Sequence, residues 1–414
     1  MSRVIVIGAG LAGLVAANRL ADGGAQVTLL TKGLGGVQLG QGTIDVLGYR
    51  PQRVANPIRE LAELPDDHPY ARIGADAVHS GLAYLLGLVP DLLVGDAEAN
   101  YQLPTAVGAI RPTCLAQPSM VAGNVAAGKA FAIVGLRRLK DFQPKLIAGN
   151  LARTELPEGG RLTARALMVD VPARDGEIDS SGLTYARAFD DPAFRTKFAA
   201  TLKPLLTAGE IVGLPAVLGL KDAEAWRDLA AKLGHDVFEI GLPPPSVPGM
   251  RLNEALTERA KTLGVRVVPG VRTCAFRAEG GRVRAVTIET VPAQREFAGD
   301  AFVLATGGFE SGALALDSYG TVTETLFGLP LAGLDAGPLV HGDYWGAEQP
   351  LFRVGVAVNP RMQPLDASGT PVYQNLFAAG GIIGGSSRWA EKSGDGIALG
   401  SAVSAADSIL KELA

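Results

Sequence analysis

The sequence predicts an α/β protein in which both chain ends build one domain and a second α/β domain is inserted between them. Three observations carry this expectation: a strand, glycine loop, helix and strand within residues 3–31; two further glycine-rich strand exits in the last third; and a strand–helix alternation from about residue 50 to 248. At 414 residues the chain is long enough for two or three domains of roughly 150 residues and a large core. Glycine supplies 53 residues, about 13% against an average near 7%, yet glycine and proline together stay near 19%, below the range of disordered chains. The glycines therefore punctuate a fold.

Arg3 to Ile7 is a β-branched apolar run, Gly8, Gly10 and Gly13 open a helix through Leu11 and Ala12, and Gln26 to Leu30 is a second strand. In this βαβ setting Gly8 permits the tight turn, Gly10 lets the backbone approach a pyrophosphate, and Gly13 lets helix and sheet pack closely, so the pattern points to a dinucleotide site of the Rossmann type. A glycine-rich turn without a ligand is the alternative. The second strand of such a unit usually ends in an acid that bonds a ribose. Here Thr31 and Lys32 stand there; a hydroxyl still bonds a ribose, and Lys32 keeps an NADP reading open, although no second GxGxxG follows a strand. The next segment, GLGGVQLGQGTIDVLG, including Gly42 and Thr43, would wrap the phosphates and ring edge of a flavin, or form a mobile surface loop.

In the last third, RLNEALTERAKTLG is an amphipathic helix, VRVVPG a short strand, and TCAFRAEGGRVRAVTIET a hairpin over Gly280-Gly281 followed by a further strand. FVLATGG then ends in Gly307-Gly308, and NLFAAGGIIGG repeats that logic at Gly380-Gly381. A long helix begins near Asp395 and Gly396, its N-terminus placed to offer amides to a flavin carbonyl that becomes negative on reduction. Between them, FAIVGL, RLTARALMVDV, EIVGLPAV and HDVFEIGL read as strands that alternate with helices, an arrangement for a parallel sheet. The domains are accordingly expected at 1–50 with 249–310 and 371–414, and at 51–248 with 311–370.

Charged residues are only 19% and hydrophobic ones 47%, with mean hydropathy +0.21, which points to a large interior or a partner interface. A net charge of −4 without a dense Lys/Arg block argues against nucleic acid as a partner. Cys114 and Cys274 lie 160 positions apart and the four histidines are scattered, so no disulfide framework, metal site or Cys-ligated cluster is expected, and an electron carrier would be organic. No run reaches the roughly 18 apolar residues that cross a bilayer, and VIVIGAGLAGLVAA lacks the basic leader of a signal peptide beyond Arg3. A cytoplasmic chain is expected, at a membrane only through a partner.

The ordered series of fingerprint, ATGG and glycine loop before the last helix resembles the FAD-binding fold of the glutathione reductase type. The Thr31-Lys32 pair resembles the branch of fumarate reductase, succinate dehydrogenase and L-aspartate oxidase. Over nearly the whole chain, GQGTIDVLG, DDHPYARIG, AIVGLRRLKDFQPKLIAGNL, LPPPSVPGMRL and HGDYW resemble the B subunits of anaerobic glycerol-3-phosphate dehydrogenase. That resemblance implies an A–B flavoprotein pair that oxidises sn-glycerol 3-phosphate to dihydroxyacetone phosphate and passes electrons through an iron–sulfur C subunit to membrane quinone. It also implies FMN, whereas a pyrophosphate loop implies FAD. FAD is expected, with FMN as the alternative.

Abstraction of hydride from a carbinol next to a phosphate needs a base and a cation. His341 beside Asp343 in HGDYW is the first candidate base, and Arg251, Arg111 and Lys392 are candidate cations for the phosphate. A hydrogen-bonded structural histidine and ordinary solvated or interface charges are the alternatives, and His68 in DDHPY reads as a turn residue. Three functions stay open: a flavin-bearing catalytic subunit, a relay or scaffold subunit whose flavin never meets the triol phosphate, and a free-standing flavin oxidoreductase on another small acid.

Overall fold

The computed structural model describes residues 2–156, 159–289, 294–335, 337–343 and 346–413. They form two compact units, Met1–Gly36 with Asp45–Leu88 and Ala255–Ala414, and Val37–Ile44 with Val89–Glu254. The division differs from the one drawn on composition. Residues 51–88 join the first unit because Gly81 of the helix Ala75–Leu88 lies against Leu399, where a Cβ would meet the Leu399 backbone at 2.9 Å. Residues 311–370 join it through bridges such as Val356 to Ile383, whereas residues 37–44 join the second unit through Ile44 paired with Leu115.

The first unit is organised by a five-stranded sheet in the order Arg266–Pro269, Gln26–Thr31, Arg3–Ile7, Ala301–Leu304 and Leu376–Ala378, every neighbour parallel. The central strands are near-continuous apolar runs, with Val4, Val6, Leu29, Phe302 and Phe377 fully enclosed, as a sheet covered on both faces requires. The helix Leu11–Asp22 packs on the last helix, Gly394–Leu413, where Gly23 and Leu410 approach so closely that a Cβ would lie 2.4 Å from Leu410 Cδ1. Arg19 ties the two together through Asp407 at 2.9 Å. Beside the sheet, Arg272–Glu279, Arg282–Glu289 and Gln294–Ala298 form an antiparallel ribbon. Its first turn needs positive φ at both central residues, which Gly280 and Gly281 adopt at 60° and 70°.

The second unit contains a parallel sheet in the order Thr163–Val169, Ala130–Leu136, Ile211–Pro215 and Val237–Ile240. The helices Pro144–Arg153, Gly182–Phe189, Pro192–Leu202 and Ala225–Leu233 alternate with these strands, as the sequence pattern implies. Ser181 and Asp191 cap the second and third of those helices by accepting from Thr184 N and Ala193 N. The core is aromatic: Phe131 and Phe238 stand 4.8 Å apart between ring centres, and Phe189 meets Phe198 edge-on at 5.1 Å.

Candidate functional site

The carboxyl ends of the strands Arg3–Ile7, Ala301–Leu304 and Leu376–Ala378 open into three glycine loops that touch one another. Gly8 has φ 108° and donates its N–H to Leu30 O at 2.8 Å; a Cβ on it would stand 2.2 Å from Ala305 O. A Cβ on Gly13 would stand 1.8 Å from Gly8 O, so the helix starts pressed onto the loop. Gly10 differs: nothing lies within 4 Å of its Cβ position, so the loop is open on that side. Leu14 N–H is satisfied by Gly10 O at 2.9 Å, which leaves the amides of Leu11, Ala12 and Gly13 without an intrahelical acceptor. With no acidic residue in this first turn, the amides and the helix dipole form a donor set for a diphosphate.

The second and third exits close on the same loop. A Cβ on Gly380 would meet Ala12 Cβ at 2.8 Å, and Gly380 N–H donates to Ser401 Oγ at 2.9 Å. Thr306 and Gly307 follow Ala305, held by Ser311 Oγ–H donating to Thr306 O at 2.5 Å. The Thr306 hydroxyl is buried without a hydrogen-bond partner among the described residues, the condition of a polar group awaiting a ligand. From the second strand, Thr31 Oγ–H donates to Gly33 O, so its lone pairs remain to accept from a ribose hydroxyl while Lys32 is exposed. Gly35 folds back over the first loop, where a Cβ would lie 2.1 Å from Ala9 O. These residues fit an FAD: paired phosphates at the Gly8–Gly13 turn, with hydroxyls and backbone of the flanking exits along the rest of the molecule.

The family model for the FAD binding domain matches residues 3–397. A curated relative from Halobacterium salinarum, named as the B subunit of a probable anaerobic glycerol-3-phosphate dehydrogenase, is 31% identical over 412 residues, covering 96% of this chain and 95% of the relative. The chain belongs to this family of FAD-binding B subunits. A second member, the B subunit of the anaerobic glycerol-3-phosphate dehydrogenase of Pectobacterium atrosepticum, is 30% identical over 431 residues, with 99% of this chain and 98% of that one covered. Among solved structures, a 3-ketosteroid delta1-dehydrogenase from Sterolibacterium denitrificans aligns over 100% of both chains at 11% identity and TM-score 0.47.

Several expected site residues of this family member have other duties. At the last helix, Gly396 N–H donates to Asp45 O at 3.0 Å, Asp395 Oδ2 accepts from Asp45 N at 3.1 Å, and a Cβ on Gly396 would strike Tyr70 Oη at 2.2 Å. Asp395 and Gly396 thus fasten residues 45–46 and Tyr70, and the Gly396 amide is not available to a flavin carbonyl. At Gly381 the Arg388 guanidinium lies over the face of the glycine, with Nη1 2.1 Å from the Cβ position. Gly42 and Thr43 belong to the second unit, where Gln117 Nε2 donates to Gly42 O at 3.3 Å and to Pro248 O at 2.8 Å.

Both catalytic candidates are engaged in hydrogen bonds within the chain. Arg251 donates to Glu239 from Nη1 at 2.7 Å and Nη2 at 3.1 Å, to Gln117 Oε1 at 3.0 Å, and to Gly219 O from Nε at 2.9 Å and Nη2 at 2.5 Å. All its nitrogens are engaged, so it neutralises a buried carboxylate and is not an open phosphate cation. His341 Nδ1 accepts from Gln349 Nε2 at 3.2 Å, while Gln349 Oε1 accepts from His341 N at 2.7 Å. Gln349 Nε2 also donates to His341 O at 3.1 Å, so Gln349 holds the His341 segment in a local turn. Tyr344 and Trp345 of the same motif lie outside the described residues.

Sequence reasoning missed a buried network around His68 and Glu391. His68 is only 2% exposed, accepts from Tyr70 N at its Nδ1 at 3.1 Å and donates from Nε2 to Glu391 Oε2 at 3.1 Å. Tyr70 Oη–H donates to Val46 O at 2.6 Å, and Ser393 Oγ–H to Glu391 Oε2 at 2.8 Å. Burial alone would push the Glu391 carboxyl up, but His68, Ser393 and the Ser387 amide outweigh it and hold the group below the ordinary carboxylate range. Nearby Glu348 goes the other way, raised by burial and then by the charge of Glu391. His68 is the turn residue expected, its N–H donating to Pro65 O at 2.9 Å, and its buried ring pins that turn to Glu391.

Proposed function

We propose that this chain is the flavin-carrying B subunit of a dehydrogenase that oxidises sn-glycerol 3-phosphate to dihydroxyacetone phosphate and delivers electrons, through an iron–sulfur C subunit, to membrane quinone. The observation that supports it most is the convergence of three strand exits on the Gly8–Gly13 amides, with the unpartnered Thr306 hydroxyl beside them, in a chain whose relatives carry that name. Bound FAD would supply the acceptor for the hydride that leaves C2 of the triol phosphate. The chain's own part is to hold that group: Gly10, Leu11, Ala12 and Gly13 by their amides, Thr31 by its hydroxyl oxygen, and Thr306 and Gly307 at the neighbouring exit, with Gly380 buttressing Ala12. Among the described residues no helix is long and apolar enough to cross a membrane, so contact with quinone would pass through partner subunits.

A second reading, in which the chain relays electrons or scaffolds the complex without touching the triol, is favoured by one observation. Arg251, the side chain best suited by type to phosphate binding, is satisfied internally, and the His341 Nδ1 is engaged by Gln349. The two readings separate when the purified chain, alone and then with its A partner, is mixed with glycerol 3-phosphate under argon and its flavin absorbance followed. Bleaching of the isolated chain establishes the catalytic reading; bleaching only in the complex supports the relay.

A further inference from the structure

Among the described residues, the loops at the flavin site carry a partly buried cation with a single long ion pair, Arg388. Arg388 opens the short helical turn Arg388–Glu391, and its guanidinium lies across the two outer glycine exits. A Cβ on Gly308 would stand 2.9 Å from Arg388 Nη2, and one on Gly381 would stand 2.1 Å from Nη1. At Gly308 the Glu310 Oε2 lies equally close, 2.8 Å from the Cβ position. Its one ion-pair partner among the described residues is Glu310 at 3.8 Å, and that carboxylate is 53% exposed whereas Arg388 is 21% exposed. An ion pair of that length to a solvated carboxylate leaves the forked donors of an arginine largely unspent.

Two further hydroxyls lie in the same segment. Ser386 and Ser387 are 2% and 4% exposed, and their Oγ atoms, like that of Thr306, have no hydrogen-bond partner among the described residues. Buried hydroxyls without partners in the segment that carries a partly buried guanidinium are groups that an anion with several acceptor oxygens would satisfy. The fork geometry of arginine matches phosphate in particular. A diphosphate at the Gly8–Gly13 turn is met there by amides and a helix dipole.

We propose that Arg388 is a phosphate-binding residue of this site, its guanidinium taking phosphate oxygens across Gly308 and Gly381. The phosphate has two sources of the same chemistry, the diphosphate of FAD or the phosphate of a small phosphorylated substrate. The proposal rests on the flavin site described above, and two arms separate the sources. In the first, apo full-length chain is titrated with FAD and with riboflavin, read by flavin fluorescence. In the second, FAD-loaded chain is titrated with inorganic phosphate, read by the spectrum of the bound flavin.

If FAD is the source, Arg388→Gln weakens FAD at least about tenfold and leaves riboflavin, which has no phosphate, unchanged. If a substrate phosphate is the source, FAD binding is unchanged and the response to inorganic phosphate weakens by a similar factor. Wild-type behaviour in both arms, or an equal loss of FAD and riboflavin, overturns the proposal and leaves Arg388 as a space-filler for two glycines. Should Arg388→Gln not fold, Arg388→Lys keeps charge without the fork; a loss of about threefold in either arm supports the proposal and none overturns it. Failure of the wild-type chain to bind FAD at all would instead break the flavin-site reading and this proposal with it.

Discussion

The two parallel sheets end in opposite ways. In the first unit the carboxyl ends of the central strands open into loops of glycine, with a clear space at Gly10 and a buried Thr306 hydroxyl lacking a partner among the described residues. In the second unit, the corresponding exits of Ile211–Pro215 and Val237–Ile240 are plugged from within. Glu239, fully enclosed, accepts from Leu218 N at 2.7 Å and Ser119 Oγ at 2.6 Å as well as from Arg251. The carboxyl-end crevice of a parallel sheet is the usual ligand position. What distinguishes the two is whether the polar groups there already satisfy each other, so a ligand belongs at the first crevice, and the ion pair of the second is part of its interior.

Gly13→Val attacks that contrast most severely, because the added atoms have to displace the Gly8 carbonyl. The variant is expected to purify without flavin, judged by flavin absorbance per chain, and retention of a full complement would show that the loop is not the site. Arg251→Met strips one member of a buried pair and should cost about 3–5 kcal/mol in urea unfolding, with flavin content per folded chain unchanged. Unaltered stability with altered phosphate affinity would turn the second crevice into a ligand site and collapse the comparison.

Gly10→Ala places a methyl in open space, so the melting temperature should hold while FAD affinity falls about tenfold through obstruction of the diphosphate. Glu391→Gln probes the junction behind the loops. A carboxyl held below its unfolded value stabilises fully above that value, near pH 4.3, and loses the contribution as pH falls through the folded pKa. Wild type and Glu391→Gln should therefore differ in stability at neutral pH and converge in acid; parallel curves would contradict the linkage. The smallest change is expected for His341→Asn, within about 0.5 kcal/mol in stability and twofold in flavin reduction, since the ring serves a local turn. A loss of reduction beyond tenfold would restore it as a base.

Much of the fold was legible because its signals are local. The strand Arg3–Ile7, the turn at Gly280-Gly281 and the alternating strands of residues 130–240 each declare themselves within a dozen residues. The contacts that assign duties in the site join distant residues: His68 meets Glu391 across 323 positions, and Gly396 is fixed by Tyr70 and Val46. No periodicity links such pairs. One signal was available and unread: Glu239 inside the apolar strand Val237–Ile240 demands a cation, and Arg251 follows it twelve positions later. The contact of Gly381 with the Arg388 guanidinium is likewise invisible to sequence, because a glycine carries no sign of what lies over its face.

The open crevice of the first sheet as an FAD site is tested most directly by denaturing the purified chain and chromatographing what it releases. The arrangement of amides at Gly8–Gly13 predicts one FAD per chain. Recovery of FMN alone, or of no flavin under conditions in which the chain remains folded, would contradict it.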